Sequence, residues 1–269
     1  MGNRMDRFSR GSAAALVLAV AVAPMASAAG HTEAIATFDP EMGQLPEGVT
    51  VAPDGTVYAS LSPLGQLVRL GEPGAEPEVV GTIEGLSEGD FGLIGITVGP
   101  DGAVYGGVFS GNPDAKGVWR FDVADGTAER VAGTEEIALA NDVAFGDDGT
   151  AYVSDTMTGA VWRVPPGGAA EAWIVDPLLA GTGEAGFGFP IGANGLDVAD
   201  GTVYVGVTET AQVVSVPIEE DGSAGAAAMV AQYPAPIDGV EVAADGTIYT
   251  THPMDNLVAK LPPGGEIEI

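Results

Sequence analysis

The sequence VAPDGTVYAS, residues 51–60, decides the fold because versions of it return four more times along the chain. The Asp-Gly pairs of the five copies stand 45 to 52 residues apart, and a Tyr follows each Gly by three positions. Five of the six Tyr in the chain occupy this one position, so composition alone does not explain the repeat. The other copies are VGPDGAVYGG at 98–107, FGDDGTAYVS at 145–154, DVADGTVYVG at 197–206 and VAADGTIYTT at 242–251.

Each copy reads as the centre of a unit of four strands. Gly after Asp supplies the positive φ that a tight hairpin requires, so the Asp-Gly pair joins the first strand to the second. A third strand and a more weakly patterned fourth strand follow. In the first unit the predicted strands are Gly48–Ala52, Thr56–Leu61, Gln66–Leu70 and Pro77–Ile83.

The repeat predicts an all-β protein of the β-propeller type. Units of four strands and 40 to 50 residues are typical of propeller blades, which close a ring and so protect their sheet edges. No segment between the copies has helical periodicity of useful length. The alternative is a sandwich of short strands, which requires no fixed repeat length.

The ends of the repeat favour a six-bladed ring with five blades evident. Thr32–Phe38 and Gly265–Ile269 both have the pattern of an outer, fourth strand. The first of these lacks the three strands that should precede it, so we expect most of a sixth blade to be missing. A closed five-bladed propeller with a spare N-terminal strand is the alternative.

The composition excludes several classes of protein. The 269 residues carry 38 Asp and Glu against 9 Lys and Arg, a formal charge of −29, with 46% hydrophobic residues and no Cys. The apolar content favours a folded chain, and the charge excludes nucleic acid and anionic membranes as partners, since both bind through basic residues. Without Cys there is no disulfide and no thiolate site.

The N-terminus reads as an export signal over residues 1–28. Three Arg precede an apolar run at 13–23, and the small residues Ala26-Ser27-Ala28 follow. The run is too short to span a membrane, which takes about 20 apolar residues. We therefore predict a secreted or periplasmic protein whose mature part, 29–269, is one propeller domain.

One position of the repeat carries oxygen donors. The residues that stand just before the five predicted first strands are called the column. In chain order they are Glu47, Ile94, Asn141, Asn194 and Asp238. First strands line the central channel of a propeller, so four of these side chains should converge near its axis. Turn-forming residues are also common where a loop meets a strand, which is the structural alternative for this pattern.

Two carboxylates and two amides around one centre would suit a hard divalent cation. Glu47 and Asp238 would offset its two charges, with Asn141 and Asn194 adding amide oxygens. Ca²⁺ tolerates such a mixed oxygen set best, and Mg²⁺, Mn²⁺ or Zn²⁺ are alternatives.

These residues resemble a known family. The blade order Glu, Asn, Asn, Asp, with Gly after most members, is similar to the six-bladed family of senescence marker protein (regucalcin), gluconolactonase and luciferin-regenerating enzyme. The resemblance covers about residues 32–269 and implies that Glu47, Asn194 and Asp238 bind the metal directly. It implies that Asn141 binds the metal or the substrate and that Asp238 also serves hydrolysis. The chain departs from the family in having Val49 where Pro is common, and in the absent sixth blade.

Two functions are compatible with these residues. The first is an exported metal-dependent hydrolase of a small lactone, in which the metal polarises the carbonyl and Asp238 acts as the base. The second is a non-catalytic propeller with a structural ion that binds a protein or glycan. His252 is predicted to lie on a loop at the same mouth of the channel, where a surface position is the simpler interpretation.

Overall fold

Nineteen strands form five antiparallel sheets in residues 34–186 and 188–269, the part of the chain that the computed structural model describes. The predicted export signal, residues 1–28, lies outside the described residues. Blade one contains β1 (Pro46–Val51), β2 (Val57–Leu61), β3 (Gln66–Leu70) and β4 (Glu78–Thr82). Blade two contains β5 (Gly92–Val98), β6 (Val104–Phe109), β7 (Gly117–Phe121) and β8 (Ala128–Arg130).

The remaining blades repeat this order, with the first strand innermost. Blade three contains β9 (Ala140–Phe145), β10 (Ala151–Asp155), β11 (Ala160–Val164) and β12 (Glu171–Val175). Blade four contains β13 (Ala193–Ala199), β14 (Thr202–Val207), β15 (Gln212–Pro217) and β16 (Ala228–Gln232). Blade five contains β17 (Val240–Val242), β18 (Ile248–His252) and β19 (Leu257–Leu261). The predicted all-β propeller with five blades is confirmed. No helix in the described residues is long and apolar enough to cross a membrane.

The Asp-Gly pairs form the tight turns that join the first strand of a blade to the second. In blade one the φ of Gly55 is +90°, and the Asp54 carboxylate accepts the Thr56 N–H at 2.9 Å. Blade four differs, because Asp200 and Gly201 both have positive φ and alone join two strands that pair at Ala199 and Thr202. That is the pattern of a two-residue hairpin turn, which follows the right-handed twist of the strands.

The core lies between successive sheets. In blades one to four the repeat Tyr and the second residue of the third strand pack against the next blade, as Tyr58 and Leu67 pack against Ile96 of blade two. At that third-strand position Leu67, Val118, Val161 and Val213 are all at most 2% exposed. Sheets stacked face to face thus bury the side of blades one to four that faces the next blade.

Blade five does not pack on blade one. Its residue at the same third-strand position, Val258, is 62% exposed, and its repeat Tyr, Tyr249, is 41% exposed. On the facing side Val49 of β1 is 40% exposed, while its equivalents in the other four blades are buried. Extensive strand contacts link the inner strands of consecutive blades but do not link β17 to β1. The described residues therefore surround the axis with a gap between blades five and one, and the closed five-bladed ring is wrong.

Both predicted terminal strands are wrong. Residues 34–38, the described part of Thr32–Phe38, form no strand. Ala36 and Phe38 instead pack on the open face of blade one beside Val57 and Val68, because that apolar face has no neighbouring sheet. At the other end the segment Gly265–Ile269 makes a single bridge, Lys260 with Glu268, and no continuous strand.

A matched pair of substitutions tests the gap. We expect Val213→Ala, between blades four and five, to lower the free energy of unfolding by about 2 kcal/mol, because buried methyl groups are lost. Val258 has the same register position in blade five. Val258→Ala should change the free energy of unfolding by less than about 0.5 kcal/mol, because that side chain is exposed. Denaturant titration measures both. An equal loss in the two variants would mean that another surface covers blade five.

Candidate functional site

A β-bulge presents the predicted oxygen donors. In β1 the residues Pro46 and Val49 pair with Leu61 and Ala59, so Glu47 and Gly48 together stand opposite the single residue Ser60. The inner strands β5, β9 and β13 have the same two-against-one irregularity at the same register. Bulges re-aim side chains and recur beside functional sites. The predicted column thus coincides with a repeated backbone distortion at the top of the inner strands.

Hydroxyl groups satisfy the N–H that the bulge removes from the ladder. Ser60 Oγ accepts the Gly48 N–H at 2.7 Å, and Ser154 Oγ accepts the Asp142 N–H at 3.0 Å. In blade five the Gly239 N–H donates to Thr251 Oγ1 at 2.8 Å. An unsatisfied N–H would be costly near the axis, so these hydroxyls hold the bulge in place.

Close packing around the axis explains the Gly that follows most donors. A Cβ on Gly48 would come within 2.7 Å of the Ile94 carbonyl oxygen of blade two. A Cβ on Gly195 would come within 2.4 Å of the Asp238 carbonyl oxygen of blade five. Only Gly lets the backbones of neighbouring inner strands approach this closely.

The structure brings the four predicted oxygen-bearing residues to one central channel. Glu47, Asn141, Asn194 and Asp238 all line a cavity of about 780 Å³ that runs along the axis. Ile94, the fifth member of the column, is buried and does not line it. Oxygen-bearing residues from four blades therefore meet at one place, and blade two has an apolar residue at the equivalent position.

Sequence reasoning missed three further carboxylates in the same channel: Asp142, Asp197 and Glu241. Asp142 directly follows Asn141, whereas Asp197 and Glu241 share a register position three residues after the column. No Lys, Arg or His is among the described residues that line the channel. The channel is thus an acidic cavity without a protein countercharge.

Asp142 and Asp197 join neighbouring blades. Asp142 accepts N–H groups from Val143 of its own strand at 2.9 Å and from Leu196 of blade four at 3.1 Å. Asp197 repeats the pattern one blade further, with Val198 and with Val242 of blade five, both at 2.7 Å. Each carboxylate therefore ties two inner strands together at the wall of the channel.

Glu47 and Asp238 repel each other across the gap. Enclosure by the channel walls, then the charges of Asp238 and Asp142, raise the pKa of Glu47 well above its usual range. Burial likewise raises the pKa of Asp238, and a hydrogen bond from Asn194 opposes that rise. The Asn194 amide also donates to Thr208 Oγ1 at 2.9 Å, which fixes its orientation beside Asp238.

This donor set fits a divalent cation. Two carboxylates that repel each other, with two amides and no basic side chain, gain most from a bound positive charge. Among the described residues no three His, Cys, Asp or Glu side chains are grouped as a metal site by themselves. Cation binding here would therefore require the amide oxygens of Asn141 and Asn194, and it stays a prediction.

The prediction for His252 is wrong. His252 lies in β18 and is 1% exposed, facing blade four and away from the channel. Its ring lies between Thr250 Oγ1 at 2.9 Å and the carbonyl oxygens of Ala235 and Pro236 at 3.1 and 3.0 Å. The alternation of a strand, in which residues 248, 250 and 252 share one face, places it in the core.

Comparison with known proteins gives the fold. No family model matches the chain, and no curated protein matches its sequence. A gluconolactonase from Xanthomonas campestris superposes with a TM-score of 0.64 at 18% identity, over 83% of this chain and 74% of that one. A virginiamycin B lyase from Staphylococcus aureus gives 0.59 at 15% identity, over 84% and 69%.

A chain of a nidogen–laminin complex also matches, with a TM-score of 0.58 at 14% identity, over 77% of this chain and 74% of that one. The chain thus has the architecture of the six-bladed propellers of gluconolactonases and virginiamycin B lyase, with five blades evident. At identities of 14 to 18%, these matches show a shared fold.

The acidic channel predicts a stability that falls as pH rises. Burial and the neighbouring Asp197 raise the pKa of Glu241 to about 7, and burial raises that of Asp142 to about 7. In an unfolded chain both groups titrate near pH 4. The folded state therefore holds protons that the unfolded state has released, and this stabilisation is lost between about pH 4 and 7.

We expect the melting temperature of chelator-treated protein to fall between pH 5 and pH 8, and Glu241→Gln to reduce that fall. Glu72→Gln, at an exposed turn, is the control and should leave it unchanged. Differential scanning calorimetry at several pH values measures the three proteins. A melting temperature that rises over this range in all three would contradict the assignment.

Proposed function

We propose that the protein is an exported, metal-dependent hydrolase of a small lactone. The observation that carries the proposal is the convergence of Glu47, Asn141, Asn194 and Asp238 on one channel, the first three through the same backbone bulge. The likeness to a gluconolactonase supports the reaction class. The N-terminal pattern of residues 1–28 supports export.

Glu47, Asn141, Asn194 and Asp238 would hold the cation, with Ca²⁺ favoured and Mg²⁺, Mn²⁺ or Zn²⁺ as alternatives. A divalent cation bound there supplies Lewis-acid polarisation of the ester carbonyl and a positive charge for the oxyanion. Glu47 and Asp238 keep that charge at the axis, and Asn194 orients Asp238 through its amide.

Asp238 is the proposed general base. It takes a proton from a water molecule, whose oxygen adds to the lactone carbonyl, and it gives that proton to the ring oxygen as the C–O bond breaks. Burial favours this role because it makes the carboxylate a stronger base. Its main chain is fixed, since its N–H donates to the Thr251 carbonyl at 2.9 Å.

The charge of the channel favours a neutral substrate and an anionic product. Five carboxylates with no basic side chain in the lining repel phosphorylated or carboxylated ligands. Hydrolysis of a lactone creates a carboxylate, so the same repulsion assists product release.

Asp238→Asn should retain the fold and lower kcat for a lactone by about 10²- to 10⁴-fold, because the base is removed while an oxygen ligand remains. Asp200→Asn is the matched control, an equally isosteric change at an exposed turn. Steady-state hydrolysis at saturating metal measures both. Near-normal turnover of the Asp238 variant would show that Asp238 is not the base.

Removal of the metal should abolish lactone hydrolysis and lower the melting temperature, and Ca²⁺ should restore both. Glu47→Gln should weaken Ca²⁺ binding in a calorimetric titration, because one of two charges is lost.

The alternative function, a non-catalytic propeller that binds a protein or glycan, is favoured by the likeness to a chain of the nidogen–laminin complex. It predicts the loss of stability on chelation but no hydrolysis of any lactone in a panel.

A further inference from the structure

One register position near the end of the second strands is polar in two blades and apolar in three. It lies three residues after the repeat Tyr. In blades one, two and four it holds Leu61, Val108 and Val207, and in blades three and five it holds Asp155 and His252. All five residues are at most 2% exposed. Burial of a polar side chain costs free energy unless hydrogen bonds compensate, so Asp155 and His252 should have specific partners.

Asp155 holds the main chain that leads into Asn141. Its two carboxylate oxygens accept the N–H groups of Ala138 and Leu139, each at 3.1 Å. These residues stand three and two positions before Asn141. A side chain of β10 thus fixes the segment that enters β9.

His252 makes the equivalent contacts before Asp238. Its Nδ1 lies 3.1 Å from the Ala235 carbonyl oxygen and 3.0 Å from the Pro236 carbonyl oxygen. These residues stand three and two positions before Asp238, so the spacing of blade three recurs. Carbonyl oxygens only accept, so Nδ1 carries the proton and Nε2 accepts the Thr250 hydroxyl at 2.9 Å.

The two contacts have opposite polarity because the two segments offer different groups. Pro236 has no N–H, so a carboxylate at position 252 would find one donor fewer than Asp155 finds and would face two carbonyl oxygens. An imidazole N–H suits those oxygens. Each side chain is thus matched to the main chain that it holds.

The contact matters most in blade five, because β17 is short. The ladder between β17 and β18 starts at Val240, two residues after Asp238. In blade one, by comparison, the ladder reaches Pro46, directly before Glu47. His252 therefore holds a segment that strand pairing holds in blade one.

We propose that Asp155 and His252 are positioning residues, which hold Asn141 and Asp238 where their side-chain oxygens meet the cation. The inference rests on the proposed function for the roles of Asn141 and Asp238. The hydrogen bonds that carry it are independent of that function.

Calorimetric titration with Ca²⁺ tests the inference without hydrolysis. His252→Val gives blade five the residue of blades two and four, and Asp155→Leu gives blade three the residue of blade one. Each should weaken Ca²⁺ binding about 10- to 100-fold, as loss of a residue that orients a metal ligand typically does. His252→Asn should restore most of the affinity, because its amide nitrogen, like Nδ1, is bonded to Cγ. If His252→Val does not fold, His252→Gln replaces it, because its amide nitrogen is one bond further out and leaves both carbonyl oxygens without a donor.

Val108→Ala is the matched control. Val108 has the same register position in blade two and is fully buried, but Ile94, the column residue of that blade, does not line the channel. Its substitution should lower the melting temperature and leave Ca²⁺ affinity unchanged. Unchanged affinity in His252→Val and Asp155→Leu as well, or an equal loss in Val108→Ala, would mean that these residues only stabilise the fold and would overturn the inference.

Crystals of the metal-free protein separate the inference from the proposed function. The Asp238 carboxylate should be displaced in His252→Val and return to its original position in His252→Asn. If the original protein binds no Ca²⁺ and cleaves no lactone, the proposed function is refuted. The displacement then decides the inference by itself, and an unmoved Asp238 overturns it.

Discussion

The close approach of the inner strands at the axis is the constraint on which the rest of the structure depends. Backbones of neighbouring blades come so near that a side chain at Gly48 or Gly195 would meet a carbonyl oxygen of the next blade. The inner strands β1, β5, β9 and β13 each have a bulge at this level, and in β1, β9 and β13 the bulge presents an oxygen-bearing side chain to the channel. The packing of the ring thereby creates the candidate site.

This arrangement concentrates negative charge in the channel. Asp142 and Asp197 use their carboxylates to tie neighbouring blades together through backbone N–H groups. Among the described residues Glu47 and Asp238 accept no backbone N–H from a neighbouring strand, and the charge of Asp238 raises the pKa of Glu47. A cation would relieve that repulsion and connect blades one and five across the gap, so binding and stability are coupled. Glu47 and Asp238 would thus serve both the stability of the ring and the chemistry of the site.

The sequence was sufficient for features that repeat locally. The Asp-Gly turns and the Tyr position follow from turn geometry and strand alternation, so blade boundaries and the oxygen-bearing column could be predicted. Features that depend on neighbours in space could not. Residues 34–38 alternate like a strand but pack as an irregular segment on the open face of blade one, a contact that only the folded structure creates. Asp197 and Glu241 reach the channel from a different register position, and His252 turns inward with its strand.

Crystallographic localisation of a bound cation tests the central claim most directly. A crystal grown with Mn²⁺ and measured for anomalous scattering should show one peak on the axis. We predict oxygens of Glu47, Asn141, Asn194 and Asp238 within about 2.6 Å of it. A protein that binds Mn²⁺ elsewhere, or shows no peak in the channel at saturating Mn²⁺, would contradict the account.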